Sequence, residues 1–213
     1  MNLQSCRCLV VGAGNVGLRK IKSLVDAGAM EILVVDPLPC ELPEYSGIIH
    51  KKRHFEQRDL TDRILVFATT NNRSVNAKIA ALCREQNILC NVADSPDEGN
   101  FAVPAHHSSD ELDLAVGTKG ASPAMAARIC RELGVPAADK YGPMIRLTAK
   151  LRPLILELKI PAADKKRILR ELAASGLTEL LSANKTEEAK RLLRSLVPDC
   201  LHHKTGELLH DNQ

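Results

Sequence analysis

The chain has no tryptophan, only two tyrosines and three phenylalanines, so aromatics make up 2% of it. A core must therefore be built from Leu, Ile, Val and Ala. The same scarcity argues against single-stranded nucleic-acid binding, which uses aromatic rings as stacking platforms. One-sided charge is missing too. The net charge is +3 without a basic block, so nothing in the pattern points to DNA or to a membrane surface. No apolar run approaches the ~18 residues that a membrane-spanning helix needs, and no secretory signal opens the sequence. The seven cysteines (Cys6, Cys8, Cys40, Cys83, Cys90, Cys130 and Cys200) are an odd, scattered set without CxxC pairs. That spacing provides neither a disulfide framework nor a zinc knuckle. These absences leave an expectation of a soluble protein of a reducing, cytoplasmic compartment.

What is present is a core-forming composition, 45% hydrophobic over 213 residues, enough for one mid-sized domain and a smaller one. Cys6 to Gly12 reads as a buried strand halted by glycine, and Val16 to Ala27 as a helix stopped at Gly28. Glu31 to Asp36 is a second apolar strand, ended by Pro37. A weaker strand at Ile48 to Lys52, a strand at Ile64 to Ala68, a helix at Arg73 to Gln86 and a strand at Ile88 to Val92 follow. Such alternation predicts α/β architecture, a Rossmann-like, mostly parallel, doubly wound sheet. Beyond Asp94 the texture changes. Strands are expected at Asn100 to Val103 and Leu112 to Val116, with HHSSDE as the turn between them. A helix follows from Ser122 to about Leu133, and only helices from Lys140 on, with Pro153 expected to kink or end the first. Expected boundaries are 1–98 for a dinucleotide-type domain, 99–139 for a β/α segment and 140–213 for a helical domain with a frayed tail.

Gly12-Ala13-Gly14-Asn15-Val16-Gly17 matches G-x-G-x-x-G between a strand and a helix. Gly12 permits the tight turn, Gly14 lets the backbone approach a pyrophosphate, and Gly17 allows close helix–strand packing. The helix start favours the negative charge. About 20 residues on, Asp36 ends the second strand, where a carboxylate binds ribose hydroxyls. It repels a 2′-phosphate, so NAD is expected rather than NADP, although Arg53 is near enough to fold back. Thr69, Thr70, Asn71 and Asn72, then Asp94 and Asn100, stand past later strands, where open α/β sheets bind ligands. By position alone Asp94 is as readily a turn or cap acid. The pairs His106-His107 and His202-His203 lack thiolate or carboxylate companions at ligand spacing, so no metal site is expected.

The stretches VVGAGNVGLRK, ATTNNRSVN, CNVADSPDEGNFAVPA and GTKGASPAMAARICREL resemble the precorrin-2 dehydrogenase and sirohydrochlorin ferrochelatase family, which includes the N-terminal module of siroheme synthase. They lie between Cys8 and about Leu133. The combination of N-V-x-D-x-P, N-F followed by P, and G-x-S-P at a helix start is far more specific than the glycine motif. The resemblance implies NAD-dependent oxidation of precorrin-2 to sirohydrochlorin, with or without iron insertion. It puts Asp94 on the catalytic aspartate, Ser122 on a serine near the tetrapyrrole pocket, Asn15 and Val16 on NAD-touching loop positions, and Leu38 and Pro39 near a second NAD contact. It also implies a β/α dimerisation region and a homodimer. Ser122-Pro123 is a ready helix start. With Lys119 and Gly120 beside it, that helix end is equally a receiver for a substrate carboxylate. Members usually carry a short strand ahead of the first Rossmann strand, and only Met1 to Ser5 precede it here. A regulatory NAD-sensing domain is the alternative reading. It accounts for the glycine loop and Asp36 but not for the later motifs.

Overall fold

A computed structural model describes residues 3–210. The chain divides into two compact units, Met1–Val103 and Pro104–Gln213.

The first unit alternates strands and helices: β1 (Arg7–Val11), α1 (Asn15–Asp26), β2 (Glu31–Val35), β3 (Ile48–Lys51), β4 (Leu65–Ala68), α2 (Arg73–Glu85) and β5 (Leu89–Val92). The strands form one parallel sheet in the order β3-β2-β1-β4-β5. Past the charged first residues of β1 and β2 (Arg7 and Glu31), its central strands β1, β2 and β4 are apolar throughout because both faces are covered. Leu9, Val11, Leu33, Val35, Val66 and Ala68 face Ile79 and Cys83 of α2. Cys8, Val10, Ile32, Val34, Leu65 and Phe67 turn the other way, onto Ile21 and Leu24 of α1. Strand order reverses between β1 and β4, which opens a crevice at their C-terminal ends. Gly12 and Thr69, the first residues past those strands, meet there, Thr69 Oγ1 donating to the Gly12 carbonyl at 2.7 Å.

The second unit holds the antiparallel pair β6 (Ala105–Ser108) and β7 (Asp113–Val116). Helices α3 (Pro123–Glu157), α4 (Ala162–Ala174), α5 (Leu177–Ser182), α6 (Thr186–Leu196) and α7 (Thr205–His210) follow. Met144, Leu147, Leu151 and Ile155, on one stripe of α3, pack with Ile168, Leu172, Leu177, Ala189 and Leu193. Each fully buried leucine here contributes about 1.5–3 kcal/mol. The first half of α3 packs on the hairpin, the His107 ring lying over Gly134, while Met125, Leu133 and Val135 remain exposed. No helix of the described residues is long and apolar enough to cross a membrane.

Three expectations are corrected. Asn100 to Val103 is not a strand; β6 begins at Ala105 and uses His106 and His107, placed above in the turn. The turn shrinks to Ser109–Leu112, closed by the Ser109 amide on the Leu112 carbonyl. The helix from Ser122 does not stop near Leu133, and Pro153 does not end it: α3 runs unbroken for 35 residues through Pro136, Pro143 and Pro153. Each proline deprives the carbonyl four residues earlier of its donor. Those carbonyls belong to Glu132, Asp139 and Ala149, all exposed residues, where water can stand in for the missing N–H.

Candidate functional site

A cavity of about 600 Å³ lies at the crevice, lined by the glycine loop, the end of β2, the segment after β3 and the turn between β4 and α2. That volume suits a bound cofactor. Of the residues picked out above, Gly12, Gly14, Asp36, Leu38, Pro39, Thr69 and Thr70 line it; Asn15, Val16 and Gly17 stand just behind, in the first turn of α1.

The glycines divide by what a side chain would strike. Gly12 has φ +93°, and a Cβ there would sit 2.7 Å from the Thr69 carbonyl; one at Gly17 would sit 1.9 Å from the Gly12 oxygen. A Cβ at Gly14 would meet nothing within 4 Å. The first two serve packing. The third leaves room for a ligand against the N-terminus of α1, where no side chain caps the helix and no acid sits in the first turn. Exposed amides and helix dipole together fit the pyrophosphate of a dinucleotide.

Asp36 braces the loop from the other side. Its Oδ2 accepts the Ala13 amide at 2.6 Å and its Oδ1 the Leu38 amide at 2.8 Å. Arg53, a cavity residue, turns its guanidinium onto Asp59, with contacts of 2.9 and 2.6 Å. Burial alone would raise the Asp59 carboxyl, but the Arg53 donors and the Glu56 amide outweigh it and hold the group below its ordinary range. The same hydrogen bond raises Arg53. Cys40, also on the wall, has its thiol pushed up by burial and then by the charge of Asp36. His54, Phe55 and Lys78 complete the wall. Their positions carry no motif, so the sequence did not single them out.

Asp94 follows β5. Its Oδ1 accepts a 2.9 Å hydrogen bond from Asn76 Nδ2, and Asn76, wholly buried on α2, also binds Thr70 of the cavity wall. Asn100 is occupied differently. Its Oδ1 accepts the Cys90 amide at 2.6 Å, and its Nδ2 donates to the Ile88 carbonyl at 3.0 Å. This stitching of the β5 edge accounts for the side chain without a ligand. Ser122, Lys119 and Gly120 belong to the second unit. Ser122 caps α3, its Oγ accepting the Met125 amide at 3.2 Å, and Lys119 and Gly120 have φ of 53° and 83° in the turn before it. No group of three metal-ligating side chains comes together among the described residues.

Residues 1–105 match a family model described as "Putative NAD(P)-binding". The chain is 32% identical over 197 residues to a siroheme synthase of Methylococcus capsulatus, covering 91% of this chain and 41% of that one. It is 34% identical over 201 residues to a siroheme synthase of Thioalkalivibrio sulfidiphilus, covering 91% and 40%. The chain thus spans well under half the length of these relatives. Among solved structures it is similar to SirC, a precorrin-2 dehydrogenase, with a TM-score of 0.71 and 27% identity, covering 92% of this chain and 97% of that one.

Proposed function

We propose that this chain, similar over most of its length to siroheme synthases and to a precorrin-2 dehydrogenase structure, belongs to their family and oxidises precorrin-2 to sirohydrochlorin, with NAD as hydride acceptor, on the route to siroheme. The observation that carries this reading is Asp94, a carboxylate past the end of β5, tied through Asn76 to the wall of the dinucleotide cavity.

The oxidation removes a hydride and a proton from the reduced macrocycle. NAD supplies the hydride-accepting chemistry. The proton goes to Asp94, exposed and able to reach a substrate. A positioned base of this kind contributes about 10²–10⁴ in rate. The uncapped start of α1 and the open space at Gly14 take the pyrophosphate, and Asp36 takes the ribose. NAD is favoured over NADP because Asp36 repels a 2′-phosphate while Arg53, the nearby cation, is already spent on Asp59. Ser122, Lys119 and Gly120 are the proposed anchor for substrate carboxylates on the second unit.

Met125, Leu133 and Val135 are apolar side chains exposed on the first half of α3, and a second copy of the chain would cover them in a homodimer. All seven cysteines are free thiols, which supports a reducing, cytoplasmic setting.

The test is anaerobic turnover of enzymatically generated precorrin-2 with NAD, following sirohydrochlorin and NADH together by absorbance. Stoichiometric appearance of both supports the reading, and ferrous iron added afterwards tests metal insertion. NAD binding without product favours an NAD-sensing domain instead.

A further inference from the structure

Asn76 is the only asparagine among the buried polar residues of the described chain, at 0% exposure. Its amide has two lone pairs and two N–H groups, and all are used. Oδ1 accepts the Thr70 amide at 3.2 Å and the Thr70 hydroxyl at 2.7 Å. Nδ2 donates to the Thr70 carbonyl at 3.0 Å and to Asp94 Oδ1 at 2.9 Å. The orientation is not interchangeable. A backbone N–H can only donate, so the atom facing the Thr70 amide must be oxygen and the atom facing Asp94 must be nitrogen.

We propose that Asn76 is the positioning residue for Asp94: it locks Oδ1 as an acceptor and leaves Oδ2 as the oxygen that receives the substrate's proton. This rests on the reading of Asp94 as the base. Oδ2 has no hydrogen bond or ion pair to another described residue, whereas Oδ1 faces an N–H that leaves no room for a second proton. Because the same amide grips Thr70, the wall of the cofactor cavity and the base are held as one unit. The segment after Asp94 is clamped to the same helix: Glu98 pairs with Arg73 at 2.7 Å, and its carbonyl accepts from Arg84 at 3.0 Å. Asp94 is therefore fixed from α2 on both sides, as a catalytic group on a loop has to be.

The experiment is a double-mutant cycle on the full chain with Asn76→Ala, Asp94→Ala and both, reading kcat, KM, Kd for NAD by titration, and Tm. Asn76→Ala is expected to lower kcat about 10- to 100-fold while Kd for NAD moves less than about threefold, since a displaced base costs turnover and not cofactor binding. On the Asp94→Ala background it should take nothing further from kcat. An equal fall in both backgrounds, or weaker NAD binding with kcat intact, overturns the proposal and leaves Asn76 a strut of the cavity wall. Full turnover by Asp94→Ala sinks the reading of Asp94 itself, and the role of Asn76 with it. If Asn76→Ala does not fold, Asn76→Asp decides. It keeps the volume and the acceptor for Thr70 but turns a carboxylate oxygen toward Asp94, so kcat should fall further than cofactor binding; equal falls overturn the proposal.

Discussion

The Asp36 carboxylate and the Ala13 amide meet at 2.6 Å, so the acid at the end of β2 fixes the shape of the glycine loop as well as facing the cavity. Asp36→Ala removes this bond and the one to Leu38. NAD affinity should fall about 10- to 100-fold, about 1.4–2.8 kcal/mol. Affinity for NADP should fall less, because the repelling charge is gone. Calorimetric titration with each dinucleotide reads both; an unchanged ratio would discard Asp36 as the source of preference.

Gly14 and Gly17 should separate binding from folding. Gly14→Ala adds a methyl group into open space, so Tm should hold within about 2 °C while NAD binding is lost to the crowded approach. Gly17→Ala drives a methyl group into the Gly12 carbonyl and should cost at least about 2 kcal/mol of stability. Thermal unfolding beside NAD titration distinguishes the two.

Asp94→Asn keeps the volume and removes the base. Turnover of precorrin-2 should drop by about 10²–10⁴, with Kd for NAD nearly unchanged. Wild-type kcat in this variant would rule out proton transfer to Asp94.

The Asp59–Arg53 pair should make stability sensitive to acid. The Asp59 carboxyl is held below its ordinary value of 3.8, so the folded state prefers it ionised. Its contribution is complete at neutral pH, begins to fade near that ordinary value, and is lost as pH falls through the lower folded value. Asp59→Asn should cost about 2–3 kcal/mol at pH 7, since Arg53 loses its buried partner. The gap from wild type should narrow below about pH 4. Urea unfolding at both pH values checks this; a gap independent of pH would refute the assignment.

Leu133→Glu and Val135→Glu place charge on side chains that are 53% and 54% exposed, so the protomer should fold normally. A dimer joined through this part of α3 should dissociate to monomer in light scattering with at least one of the two. A dimer untouched by both changes must use another surface.

Much of the first unit was legible because its signals are local. Strand β1, the three glycines and α1 are contiguous, and Asp36 ends the next apolar run. Each of β1 to β5 was found within a residue or two; β1, β2 and β4 read as apolar runs because both their faces are buried, while β3 at the edge gave a weaker signal. The second unit was harder. Pro136, Pro143 and Pro153 are stop signals in sequence, and only the solvent around the carbonyls they orphan permits α3 to continue. Strand β6 hid in AHHS because its alternation is polar against half-buried. The link from Asn76 to Asp94 spans 18 positions and depends on α2 lying beside β5, which no spacing rule reveals. Asn100 was singled out as a ligand residue, yet its amide is spent on backbone.

That use of Asn100 bears on how this protein stays out of trouble with its neighbours. β5 is the last strand of its sheet, and a bare edge of unpaired N–H and C=O groups invites another chain to add a strand. Here Asn100 takes the Cys90 amide and the Ile88 carbonyl. The amides of Asn100 and Phe101 take the Cys90 carbonyl, and Asn91 Nδ2 donates to the Phe101 carbonyl. The far edge, β3, ends in Lys51, whose charge discourages pairing. One border of the sheet is covered by its own chain and the other ends in a lysine, and both features work against the addition of a foreign strand.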